Sequence, residues 1–144
     1  MQGMLLRWLS VFAACSLSAC AAYGAFLEDQ SQARQNAGTI ESAGSPAGTF
    51  TFEVDDCDSG MREAFYGVTL LSKDRRHAVR VVRNPVGPMT IAVAVGDEFV
   101  QVPCRAIVGS IKGTGTRINN VPVLTGDVRF ACSGLRGSAT FTCN

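Results

Sequence analysis

The sequence predicts an all-β fold, a small antiparallel sandwich or barrel of about eight strands stapled by two disulfides. Three observations predict it. From residue 49 onward the chain is a succession of short runs rich in Val, Ile, Thr and Phe, separated by Gly, Pro, Asn and Asp. No stretch of that region repeats its apolar residues at the helical period. Four of the six cysteines, Cys57, Cys104, Cys132 and Cys143, fall within it, an even number, as suits an exported domain whose thiols are oxidised.

The elements follow in order. Thr49 to Val54 alternates cleanly and puts Phe50 and Phe52 on one face. Ala64 to Ser72 is a second run, Lys73-Asp74-Arg75-Arg76 a polar turn, and Ala78 to Arg83 a third strand with Val79 and Val81 inward and Arg80 outward. Pro85 and Pro88 stop it, because proline cannot donate to a ladder. Met89 to Val95 and Glu98 to Cys104 flank Gly96-Asp97 as a tight hairpin, in which Val93 meets Val100 and Ile91 meets Val102. Further strands fit Ala106 to Lys112, Thr116 to Leu124, Asp127 to Cys132 and Ser138 to Cys143, with Gly113-Thr114-Gly115-Thr116 as a loop.

The last hairpin limits the disulfides. A four-residue turn at 134–137 pairs Phe130 with Phe141 and leaves Cys132 and Cys143 about 13 Å apart along the strands. A disulfide needs Cα atoms within about 7 Å. Two connectivities remain: Cys57 with Cys132 and Cys104 with Cys143, or Cys57 with Cys143 and Cys104 with Cys132.

The N-terminal part reads as an address followed by a tether. One positive charge, Arg7, precedes an apolar stretch from Trp8 to Leu17, too short for comfortable membrane spanning and of signal-peptide length. Leu17-Ser18-Ala19-Cys20 resembles the lipobox of bacterial lipoproteins. That resemblance covers residues 1–20 and implies cleavage before Cys20, whose thiol carries diacylglycerol and whose amine can be acylated too. Two or three acyl chains give stable anchoring where one is marginal. Ala21 in place of Asp implies the outer membrane in a Gram-negative host. Signal peptidase cleavage near Ala22 or Gly24 would instead give a freely secreted protein. From Cys20 to about Gly48, the Ala, Gly, Ser and Gln content is that of a flexible linker, which places the β-domain at 49–144.

Thirteen Lys and Arg against twelve Asp and Glu give a net charge of +1, which disfavours nucleic acid as a partner. Charge is nonetheless segregated locally. Residues 53–63 are acidic, whereas 73–83 carry Lys73, Arg75, Arg76, Arg80 and Arg83 against Asp74. That basic run is either a patch for phosphorylated envelope polymers or headgroups, or one partner of a ladder whose other strand is the acidic run.

Catalytic chemistry is sparse. His77, the single histidine, sits in the basic turn without a visible nucleophile. Carboxylates such as Asp55, Asp56 and Glu63 keep a hydrolase open only if folding gathers them. Asp56, Asp58 and Gly60 begin like a calcium loop, but Gly60 and Gly67 occupy positions that need oxygen ligands; a solvated loop pinned at Cys57 is the simpler reading. Lipid-anchored lysozyme inhibitors share the architecture, and their inhibitory loop has a Ser-Gly pair followed by a basic residue and an aromatic. Ser133-Gly134-Leu135-Arg136 lacks that aromatic, and Ser59-Gly60-Met61-Arg62 runs into Glu63. The expectation is therefore a non-enzymatic envelope lipoprotein, without cofactor, that binds an envelope polymer or protein.

Overall fold

A computed structural model describes residues 36–62 and 65–143. Ten strands run in chain order: β1 Ala37–Ser45, β2 Gly48–Glu53, β3 Asp56–Arg62, β4 Phe65–Leu71, β5 Ala78–Val82, β6 Thr90–Val95, β7 Glu98–Val102, β8 Cys104–Ile118, β9 Val121–Cys132 and β10 Leu135–Cys143. They form two five-stranded antiparallel sheets, ordered β2-β1-β10-β9-β8 and β3-β4-β5-β6-β7. Every neighbour pair but one is consecutive in the chain. The exception, β1 with β10, brings the two ends of the domain together. The chain passes between sheets at Val54-Asp55 and at Pro103, where a residue without an N–H ends one ladder before the next begins.

The core lies between the sheets. Ile40, Leu124, Val128, Phe130, Leu135 and Phe141 of one sheet meet Cys57, Val68, Leu70, Val79, Val81, Ile91 and Val93 of the other. Alternation along β5 buries Val79 and Val81, and the register of β6 on β7 pairs Ile91 with Val102 and Val93 with Val100, as their sequence patterns require. The disulfides are Cys57–Cys143, joining the two sheets, and Cys104–Cys132, directly across the β8–β9 ladder. The bonds therefore resolve the choice left open by the sequence.

Four expectations are corrected. The tether does not reach Gly48, because 37–45 is a strand that pairs with β2 on one side and β10 on the other. Its linker-like composition has a steric cause. A Cβ on Gly38 would lie 2.0 Å from the Ser138 carbonyl oxygen, and Ser42 is buried within hydrogen-bond distance, 2.6 Å, of the Ser45 hydroxyl. Only Ile40 contributes a large side chain inward.

The acidic stretch is likewise not a loop but the edge strand β3, paired with β4 from Asp56 to Arg62. Residues 113–116 lie inside β8, and the turn falls at Asn119-Asn120, both at positive φ (50° and 67°), a conformation asparagine tolerates better than most residues. Finally, β9 and β10 turn through Ser133-Gly134 alone, so Phe130 faces Gly137, not Phe141. That slip is an even number of residues, which keeps every side chain on its expected face, and Cys132 still lies far from Cys143.

Phe141 is fully buried, so Phe141→Ala should cost about 3–5 kcal/mol, read as a lowered urea midpoint with the slope unchanged. The loop closed by Cys57–Cys143 spans 86 residues and that by Cys104–Cys132 spans 28. Chain entropy alone then makes removal of the first bond costlier by about 1 kcal/mol. Equal losses for the paired Cys→Ala variants would contradict this ordering.

Candidate functional site

The run Lys73 to Arg83 is divided among three places. Lys73, Arg75 and Arg76 are exposed on the β4–β5 turn. There Arg75 donates to Asp56 at 2.5 Å and lies 3.6 Å from Asp58, so the basic turn closes on the acidic edge strand. Bonding to Asp56 first, and the charge of Asp58 second, holds the Arg75 guanidinium above its ordinary value. Arg76 lies 3.8 Å from Asp74. Arg80 is on the outer face of β5, its guanidinium 3.7 Å from the Phe99 ring centroid and its Nε donating to Thr69; burial pushes its pKa down. Arg83 leaves its own sheet altogether and donates to the Ile111 carbonyl of β8 at 2.9 Å.

Asp74 organises the turn. It accepts from the Ser72 hydroxyl at 2.7 Å and the Arg76 amide at 3.1 Å, and these bonds, the hydroxyl's first, hold its pKa below the ordinary carboxylate value. His77 stacks on Phe50 with ring centroids 4.5 Å apart, and its amide donates to the Ser72 hydroxyl. The ring thus joins the turn to β2 across the two sheets. Asp56 and Asp58 point outward toward Arg75, and among the described residues no group of three or more His, Cys, Asp or Glu could hold a metal ion. Of the two Ser-Gly pairs, Ser59-Gly60 lies within β3. Ser133-Gly134 is the β9–β10 turn, fastened to β1 by the Ala43 amide and followed by buried Leu135.

The least neutralised cations are elsewhere, on the β8–β9 hairpin. Residues 104–132 carry Arg105, Lys112, Arg117 and Arg129 against Asp127 alone, and none of the four forms an ion pair with a described residue. Strand register gathers them with residues distant in sequence. Across the outer face of the first sheet Val108 lies opposite Arg129, Arg129 opposite Ser138 and Ser138 opposite Thr39. One row over run Ala106, Ala131, Arg136 and Glu41, the last two joined by hydrogen bonds of 2.7 and 2.5 Å to a single carboxylate oxygen.

These two rows border an open groove of about 470 Å³, apolar along Ala106, Val108 and Ala131, cationic at Arg129, and walled on one side by the Arg136–Glu41 ion pair. A second, adjoining hollow includes Arg105 beside the Cys104–Cys132 bond. A groove with a small apolar floor, hydroxyls and forked cations suits a ligand bearing phosphate or carboxylate. A search for consecutive charges misses it, because Thr39, Val108, Arg129 and Arg136 come from four different strands and only the β1–β10–β9–β8 pairing brings them together. The legible signal was the charge imbalance of the hairpin as a unit.

No known protein family, curated protein or solved structure matches this chain.

Because Asp74 has a depressed pKa in the folded chain, its contribution to the turn is complete above the ordinary carboxylate range and is lost as pH falls through the lowered value. A carboxyl-detected NMR titration should therefore find Asp74 ionising at lower pH than an unstructured aspartate. Ser72→Ala should move the midpoint back up.

Proposed function

We propose that this chain is an exported, lipid-anchored envelope protein whose sandwich binds an anionic envelope polymer or protein in the groove on the outer face of its first sheet, without catalysing a reaction. The observation that carries the binding reading is Arg129, without an ion-pair partner among the described residues and set beside the apolar floor of Ala106 and Val108, with Arg105, equally without such a partner, in the adjoining hollow. Arginine forks on a fixed strand pair recognise phosphate or carboxylate oxygens with little side-chain reorganisation. Lipid attachment rests on the lipobox resemblance at Leu17-Ser18-Ala19-Cys20, and the two disulfides accord with an oxidising compartment. The envelope, and the outer membrane in a Gram-negative host, is the location this reading implies.

Each half has its own test. Cys20→Ser should shift the protein from the membrane to the soluble fraction after export, and continued membrane association would contradict lipid anchoring. For the groove, the probe is phosphocellulose. Arg105→Ala with Arg129→Ala should elute at distinctly lower salt than the unmodified protein, because each lost phosphate contact reduces the salt-dependent affinity. Arg75→Ala with Arg76→Ala, which removes cations already facing Asp56, Asp58 and Asp74, should shift elution less. The reverse order would return the binding surface to the β4–β5 turn.

A further inference from the structure

We propose that the tip of the β8–β9 hairpin is a second membrane contact, dipping into the headgroup region of an anionic bilayer and orienting the domain on its anchor. This rests on the lipoprotein reading above. It goes beyond that reading in giving the anchored domain a fixed attitude toward the lipid.

The hairpin outruns its sheet. Leu124 of β9 lies opposite Cys143, the last described residue of β10, so residues 114–123 form a two-stranded arm beyond the end of that strand. At its tip Ile118 faces Val121 across the Asn119-Asn120 turn, and the two aliphatic side chains are 45% and 37% exposed. Water gains nothing from two adjacent aliphatic side chains at the extremity of an arm, and a bilayer interface does. The cations are placed to match. Arg117 is at the tip and Lys112 behind it, and no carboxylate occurs between residues 99 and 126.

The arm is held stiffly. Ser59 of β3 donates to the Pro122 carbonyl at 2.8 Å, Thr114 to the Val123 carbonyl at 3.2 Å, and Arg117 to the Asn120 carbonyl at 3.1 Å. A rigid, braced tip presents its apolar pair without an ordering cost at the moment of contact.

What makes a bilayer the occupant is where the chain enters the domain. Asn36 accepts from the Thr142 amide at 3.1 Å, so β1 begins at the same end of the sheet from which the arm projects. Across β10 the residue before Ala37 falls level with Gly126, five residues of strand from Val121, and two strand spacings separate β1 from β9, so origin and tip lie about 19 Å apart. Only fifteen residues lie between Cys20 and Asn36, and a segment of that length with linker composition has a root-mean-square reach of about 22 Å. An acyl chain on Cys20 would thus be tethered at the end of the sheet from which the arm projects.

A chain processed at Cys20 offers a clean optical test, because the sequence's single tryptophan, Trp8, lies in the part removed. Ile118→Trp, and separately Val95→Trp at the β6–β7 turn, would be prepared as the full lipidated protein and inserted into vesicles of phosphatidylethanolamine and phosphatidylglycerol with brominated acyl chains. The indole at position 118 should shift to the blue and lose roughly half or more of its emission, as shallow interfacial residence requires, and Val121→Trp should repeat the result. The indole at position 95 should do neither. Co-flotation with the vesicles but no quenching at 118 would overturn the proposal and leave the lipoprotein reading intact. A concentration-dependent blue shift at 118 without vesicles, unchanged on adding them, would assign the tip to a second copy of the chain and overturn it equally. A mature protein without acyl chains that fails to float would remove the lipoprotein reading and this inference with it.

Discussion

The pairing of β1 with β10 is the constraint on which the rest of this molecule depends. All other ladders join strands that follow one another in the chain, and such hairpins form with modest loop-closure entropy. Joining residues 37–42 to residues 135–140 closes almost the whole domain. It is also what makes β10 an interior strand and what covers Phe141 and Ala139. The Cys57–Cys143 bond acts on the same closure from the opposite sheet, tying the C-terminal end of β10 to the first residues of β3. Strand pairing and disulfide thus restrain one long-range event from two sides.

That closure also arranges the outer surfaces. With β1 and β10 in register, Glu41 meets Arg136 and Thr39 meets Ser138, which completes the groove whose other wall is the β8–β9 hairpin. With Asn36 fastened to Thr142, β1 begins at the end of the sheet from which the arm projects. The two faces of charge are then distinct in kind. On the β3 side, Arg75 is occupied by Asp56 and Asp58, and the cluster is a structural clasp between a turn and an edge strand. On the β8–β9 side the cations lack such partners among the described residues and are available to something else.

The sequence showed the inner half of this structure better than the outer half. Alternation in 78–83 and 89–102 identified the buried valines and isoleucines and even the register of β6 on β7, because burial of one face fixes both. β1 escaped notice because its neighbours demand small residues. Gly38 sits against the Ser138 carbonyl and Ser42 fills a confined interior site, so a central strand has the composition of a linker. β3 is hard to see in the sequence because its outward positions are aspartates that satisfy Arg75 and its inward position is Cys57, which suits a disulfide-pinned loop equally well. The groove was hidden for a different reason: Val108, Arg129, Ser138 and Thr39 are neighbours only through the pairing of four strands. The disulfide pairing was half legible. Strand geometry excluded Cys132 with Cys143, while choosing between the remaining pairings required the relative placement of two sheets.

The account turns on whether residues 37–45 are a strand or a tether, and amide hydrogen exchange of the mature protein, read peptide by peptide, decides it without altering the chain. The amides of Thr39 to Ser42 should exchange as slowly as those of Ser138 to Phe141, both opening only with the domain as a whole. Exchange of 37–45 at the rate of an unstructured peptide, with β10 still protected, would contradict the closure, the groove built on Thr39 and Glu41, and the place of Asn36 beside Thr142.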